Sequence, residues 1–435
     1  MRGAVDDIVV VDTGSTDATK RIAIEAGARV VDFVWCDDFA AARNAGLRRA
    51  RGQWVLVLDA DERLAPGSVR RLRTAVANAK FDCGLLRLHD ARSIDARPED
   101  VVSGKERHAE VQLVPRLLRR VDGLAFVDAI HENVTPWLRR RGSKVAGVDV
   151  DLIHLGATPQ VVAAKGKQVR NVRLLRARIE QNAADVDALG YLAHEYLRAC
   201  GLDDAQAVID QGWPHVRAAA RDGVSIHRLA TARAHLLVMR GRYADALSGV
   251  RLAQELEGDN PDLAFYAAYA LESEAQETAD PARRADLLTS ARAAYLACQR
   301  FRDTVFSQSF VIGASTWYGS VRLGTVELLL GDAAGARRAF EAALALRPAD
   351  RASLLGLAEA RIATGELQVA LSALERLLDE APDGWTLAAV AAKKFGRSED
   401  MRLFATRALA LQGKGFIAPH RRETLRSLWE DRPSA

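Results

Sequence analysis

The chain has 435 residues, 49% of them hydrophobic and 27% charged, with a formal net charge of only +4. That composition excludes a disordered chain and leaves room for two or three domains with real cores. Arg and acidic residues are interspersed and no strongly basic face is visible, so a nucleic-acid-binding protein is not expected.

The N-terminus, MRGAVDDIVVVDTG, lacks the charged-then-apolar pattern of a signal peptide, and no run of about 20 apolar residues follows, so no membrane span is expected. Cys36, Cys83, Cys200 and Cys298 are scattered without Cys-x-x-Cys spacing. They suit a reducing compartment, argue against a zinc site and make a cytoplasmic location the simplest expectation. Residues 8–11 read as a strand, 16–26 as a helix closed by Gly27, 29–33 as a strand, 39–50 as a helix and 54–58 as a strand. This rhythm predicts right-handed crossovers and a mostly parallel, Rossmann-like sheet. A helix opened by Pro66 and a strand at 84–88 continue it.

In such sheets ligands bind beyond the carboxyl ends of the strands, where both Asp12 and the Asp59/Asp61 pair fall. The stretch WVLVLDADER places Asp59, Asp61 and Glu62 directly after an apolar strand. Carboxylates so crowded repel one another, so they are either solvated as an acidic turn or given a cation.

Beyond about residue 158 the strands stop and Ala, Leu and Arg recur in helical spacing, which divides the chain into 1–157 and 158–435. The segments opening at Gly331 and Gly365 align at an offset of 34, as do Ala336 with Ala370 and Pro348 with Pro382. Gly241 with Pro261 marks another copy and Gly201 a degenerate one. A helix, a glycine turn, small residues at the crossing and a closing proline at this period form the tetratricopeptide signature. Such hairpins hide their apolar faces only against one another, which predicts an all-α solenoid with a concave groove for a protein partner.

The segments VVVDTGSTD (9–17), WCDDFAAARN (35–44), WVLVLDADE (54–62), RLLRR (116–120) and IHE (130–132) resemble, in order and spacing, the family-two glycosyltransferases. The likeness is to the bacterial subgroup in which a GT-A domain precedes tetratricopeptide repeats. It implies a transferase that inverts the sugar carbon, moving a sugar from a nucleotide-sugar donor, a UDP-sugar first, to a polysaccharide, lipid or polypeptide acceptor. Asp12 would then contact the base or ribose, with an Asx turn before Thr16 as the plainer role. Arg43 and Asn44 would hold the donor, a surface ion pair being the alternative. Asp59 and Asp61 would form the DxD motif, with Asp61 the more direct ligand of a Mg2+ or Mn2+ ion bridging the donor phosphates. Glu132 and His131 would be the catalytic pair, with Glu132 the general base and Asp128 its rival. His154 would join the metal shell or serve as a satisfied histidine at the domain boundary. The family also carries an apolar strand ahead of its VDxGSTD segment. Roughly 25 to 30 residues of that β-α unit are not found before Asp12, which leaves open a non-catalytic repeat scaffold with a degenerate transferase domain.

Overall fold

The computed structural model describes residues 3–108, 111–156, 158, 167–302, 311–378, 381–411, 413 and 417–430. The chain forms two compact units, the first bounded by Met1 and Leu229 and the second opening at Ala230.

In the first unit β1 (Val9–Asp12), α1 (Thr19–Glu25), β2 (Arg29–Asp32), α2 (Phe39–Arg49) and β3 (Trp54–Leu56) follow one another in the predicted order. β1 and β2 pair in parallel, with Val9 opposite Arg29 and Asp12 opposite Asp32. Asp38 caps α2 by accepting from the Ala41 N–H at 2.8 Å, which satisfies one of the free donors at the helix start. The inner face of α2 is built of small residues, Ala40, Ala42 and Ala45. A Cβ on Gly46 would already stand 3.0 Å from Val11, so this helix lies close on β1.

β4 (Glu62–Leu64), α3 (Ser68–Ala77), β5 (Cys83–Asp90), α4 (Pro98–Ser103), β6 (Gln112–Arg119), α5 (Thr135–Arg141) and β7 (Val145–His154) complete the sheet domain. With β3 these strands make a second sheet in the order β3-β6-β5-β7-β4. The expectation of a mostly parallel sheet is corrected here to a mixed one. Only β1–β2 and β5–β7 pair in parallel, while β3–β6, β5–β6 and β4–β7 are antiparallel. The antiparallel pairings centre on β6, which runs against both β3 and β5, while β7 pairs in parallel with β5 and antiparallel with β4. The β-α-β rhythm before residue 58 does not extend to β7. Leu72 of α3 packs with Leu86, Leu117, Val150 and Leu152 to form one core of the domain. Ala40 of α2 joins Cys83, Leu118, Phe126 and Trp137 in another.

Helices then take over: α6 (Lys167–Gln181), α7 (Val186–Arg198), α8 (Leu202–Gly212), α9 (Val216–Arg221) and α10 (His227–Met239). Within the first unit, Leu174 and Leu175 of α6 and Ala188 and Leu192 of α7 bury Ile130 of the sheet domain.

The second unit continues with α11 (Tyr243–Glu257), α12 (Pro261–Glu277), α13 (Pro281–Cys298), α14 (Trp317–Leu329), α15 (Ala333–Leu346), α16 (Arg351–Ala363), α17 (Leu367–Leu374), α18 (Pro382–Lys394), α19 (Ser398–Ala410) and α20 (Pro419–Glu430). The 34-residue period is visible in the helix starts, Trp317 against Arg351 and Ala333 against Leu367. Gly331 and Gly365 turn the chain between the helices of each pair with φ of +82° and +84°, a conformation that favours glycine. Gly324 and Gly356 both lie against the Phe340 ring, where a Cβ would come within 2.8 Å and 2.2 Å. In the degenerate copy Cys200, at φ 58°, takes the left-handed position just ahead of Gly201. Among the described residues no helix is long and apolar enough to cross a membrane.

Candidate functional site

The acidic turn after β3 is paired rather than merely solvated. Arg43, one turn into α2, donates from one guanidinium nitrogen to Asp59 at 2.6 Å and from Nε to Glu132 at 2.5 Å. Arg116 of β6 donates to Asp59 at 2.8 Å and to Glu62 at 2.5 Å. Glu62 also accepts from the Asp59 N–H at 3.1 Å, closing the turn on itself. Burial raises the Asp59 pKa, but Arg116 and Arg43 outweigh it and hold the carboxyl below its usual range. Burial likewise opposes the charge on Arg43, and Asp59 and Glu132 more than restore it. Three carboxylates against two guanidiniums leave this network one negative charge in surplus. Its most open member is Asp59, whose side chain is 37% exposed while that of Glu62 is 1% exposed.

Asp61 faces a second group. Its carboxylate stands 3.6 Å from His154 Nε2, and the other ring nitrogen of His154 is 2.7 Å from Asp90. Strand pairing explains the meeting: β5 and β7 run in parallel with Asp90 opposite His154, and β4 sets Glu62 opposite His154 from the other side. The Leu155 N–H donates to the Asp61 carbonyl at 2.8 Å. Next to it Gly156 keeps the space open, since a Cβ there would come within 2.2 Å of Asp61 Oδ2 and 2.5 Å of His154 Nε2. Burial opposes protonation of His154, while Asp90 first, then Asp61 and Glu62, raise its pKa above the ordinary value. Among the described residues no cluster of three or more His, Cys, Asp or Glu has the geometry to hold a metal by itself.

The other expected site residues have different surroundings. Asp12 ends β1 and accepts from the N–H groups of Ser15 at 2.8 Å and Gly14 at 3.0 Å, an Asx turn. Those bonds, with Ser15 the larger, hold its pKa down. Asn44 makes a two-way clamp on Phe126, donating to its carbonyl at 2.9 Å and accepting from its N–H at 2.8 Å. His131 lies flat on the Tyr191 ring, with centroids 3.5 Å apart. Asp128 accepts from Asn133 at 2.8 Å and stands 3.5 Å from Arg178. Burial raises its pKa.

The structure thus joins Arg43, Asp59 and Glu132 in one network and Asp61 with His154 in the next. It brings in Arg116 and Asp90, for which the sequence analysis gives no role, and Glu62, which it names only among the crowded carboxylates. Arg116 opens a quoted motif and Glu62 adjoins the DxD, which are usable signals. Asp90 has no local signal, because only the β5–β7 register sets it beside His154.

Comparison with known proteins agrees with this two-part organisation. Residues 3–96 match the glycosyl transferase family 2 description and residues 327–393 match a tetratricopeptide repeat. The first match includes Asp12, Arg43, Asn44, Asp59 and Asp61 and ends before Arg116, Glu132 and His154. A TPR repeat-containing protein of Synechococcus elongatus is 49% identical over 74 residues, 17% of this chain and 18% of that one. The succinoglycan biosynthesis protein ExoO of Rhizobium meliloti is 33% identical over 120 residues, 26% of this chain and 32% of that one. The chain therefore spans less than a third of the length of either relative. Among solved structures, a tetratricopeptide repeat protein from Parabacteroides merdae is 14% identical, with 61% of this chain and 94% of that one covered and a TM-score of 0.41. The pilus biogenesis factor PilW is 16% identical, with 56% and 98% covered and a TM-score of 0.42. The chain carries a glycosyl transferase family 2 segment in its sheet domain and tetratricopeptide repeats in its helical part.

Proposed function

We propose that the sheet domain transfers a sugar, with inversion, from a nucleotide-sugar donor, a UDP-sugar first, to a hydroxyl of a polysaccharide, lipid or polypeptide. The observation that carries this reading is that one arginine, Arg43, joins the strand-end carboxylate Asp59 to Glu132, 73 positions further along the chain. Cleaving a sugar–phosphate bond leaves a diphosphate with added charge on one side of the sugar, while the acceptor must lose a proton on the other. Arg43 and Arg116 are cations at the β3 edge able to face that diphosphate, and Glu132 is the carboxylate able to take the proton.

Asp61 and His154 fit a hard divalent ion such as Mg2+ or Mn2+. Such ions keep several waters and need one or two protein ligands beside the donor phosphates, so a complete protein cage is not required. When bound, the ion would neutralise the leaving diphosphate. Asp90 holds the His154 ring with Nε2 towards Asp61.

The test is titration of the full chain with UDP in Mn2+ and in chelator. Tighter binding in Mn2+ that Asp61→Asn abolishes is expected. Equal binding in both conditions would overturn the metal site. A non-catalytic scaffold, its repeats holding a protein partner, is supported by one observation: Arg43 and Arg116 already neutralise most of the acidic turn without a ligand. Absence of any nucleotide binding by the full chain would favour it.

A further inference from the structure

The loop that carries Glu132 runs from Phe126 to Val134 and is bent through two non-glycine residues in the left-handed region, Asp128 at φ 74° and His131 at φ 58°. L residues keep such conformations where their surroundings enforce them. Part of that enforcement is local. Val127 and Asn133 exchange backbone bonds at 2.9 and 3.1 Å, and the Asn44 clamp holds Phe126 to α2. The rest comes from α6 and α7. Ile130 is buried among Leu174, Leu175, Ala188 and Leu192, and the His131 ring stacks on Tyr191 at 3.5 Å and 3°. The Arg228 guanidinium also lies on the Tyr191 ring, 4.1 Å from its centroid.

The same two helices reach the other partner of the ion pair. Arg173 of α6 grips Asp37 through two bonds of 2.6 Å, and Arg170 sits over the Phe39 ring at 5.0 Å. Phe39 opens α2 and donates its N–H to the Ala129 carbonyl at 2.8 Å. Arg43 follows one turn later on α2. Both ends of the Arg43–Glu132 pair therefore stand on elements docked against α6 and α7.

We propose that Tyr191 is a positioning residue for the transfer reaction: its stack on His131 fixes the backbone that aims Glu132 at Arg43 and the β3 edge. The first helices after the sheet domain then belong to the active site rather than to an independent acceptor-binding module. His131 acts as an aromatic plug, not a proton carrier. Burial first, then Arg228 and Arg178, hold its pKa down at about 3, and its Nε2 is buried without a hydrogen-bond partner among the described residues.

This role rests on the transferase reading, but its test does not require turnover. Amide exchange of residues 127–133 is followed in the full chain for Tyr191→Ala, Tyr191→Phe and, as a control in the repeats, Phe340→Ala. Loss of one aromatic stack should speed exchange in the loop about 5 to 10-fold. Tyr191→Phe, which keeps the ring, should restore exchange to within about 2-fold, and Phe340→Ala should leave the loop unchanged. If donor transfer is observed, Tyr191→Ala should lower kcat with little change in KM, which a general loss of fold would not do. Unchanged loop exchange in a folded Tyr191→Ala chain overturns the proposal. So does a Tyr191→Phe chain as fast as Tyr191→Ala. Should the alanine variant fail to fold, Tyr191→Leu, which fills the space without a ring, is read the same way. Normal turnover in Glu132→Gln would remove the catalytic assignment and leave the exchange result standing.

Discussion

The sheet edge and the repeat interior both pair arginine with carboxylate, yet the two networks are balanced differently. Inside the repeats Arg322 of α14 binds Glu272 of α12 with two bonds, at 2.6 and 3.0 Å, and Tyr295 donates to the same carboxylate at 2.7 Å. Glu272 is fully buried and one cation meets one anion; burial opposes the charge on Arg322, and Glu272 outweighs it. At the sheet edge Arg43 and Arg116 serve Asp59, Glu62 and Glu132, with acid in excess and Asp59 open to solvent. A matched, buried network behaves as a fastener between helices. The surplus of acid at the strand end, next to Asp61 and His154, is where the proposed ion and donor would bind.

The sharpest break between the two should come from Glu132→Gln, which keeps shape but cannot accept a proton. Turnover of a nucleotide-sugar should fall about 10² to 10⁴-fold, the usual worth of a positioned base, while UDP binding changes little. Unchanged turnover would move the role to Asp128. Next in size, Glu272→Ala leaves Arg322 buried without its anion and should cost the repeats about 3–5 kcal/mol, read as a lower urea midpoint. The paired replacement Glu272→Leu with Arg322→Met should recover most of that loss, because apolar side chains of similar volume need no partner. No recovery would mean that the pair is more than a fastener.

A packing change is expected to be smaller. Gly356→Ala sets a methyl into the Phe340 ring and should destabilise the repeats by about 1–3 kcal/mol, with UDP binding by the sheet domain intact. A last effect, acid sensitivity, should appear in the second buried network, where Glu359 meets Arg421 and His420, and Arg421 also holds Asp383. Burial pushes the Glu359 carboxyl up, but Arg421 and then His420 prevail and hold its pKa at about 2, against an ordinary 4.5. The unfolded chain therefore takes up the proton first as pH falls. The stabilisation is complete above about pH 4.5 and disappears as pH drops towards 2. Melting curves of Glu359→Gln should lose that part of the acid slope, and an unaltered slope would show that other carboxylates carry it.

Local pattern made much of this legible. The spacing around α2 places the helix at Phe39–Arg49 against an expected 39–50, and the repeat glycines fall where the chain turns. The plainer reading of Asp12 as an Asx turn is also what the geometry shows, because a short-range hydrogen bond is a property of nearby residues. Arg43 does form ion pairs, but largely buried ones whose partners lie 16 and 89 positions away. Sheet direction was not legible beyond residue 58, since antiparallel return depends on partners far along the chain. The Asn44 clamp was not legible either, since its amide reaches Phe126, 82 positions away.

The order of helices and strands, the 34-residue period and the cluster of Asp59, Asp61 and Glu62 after an apolar strand are legible in the sequence alone. Those follow from side-chain periodicity and turn chemistry, which act over a few residues. Only the tertiary structure decided which charges meet. Arg43 reaches both Asp59 and Glu132, Asp90 turns His154 towards Asp61, and Tyr191 lies under His131. Each of these contacts joins residues from different elements. Its physical cause is the tertiary packing that sets α2, β7 and α7 in neighbouring cores of the first unit, and no local pattern encodes those distances.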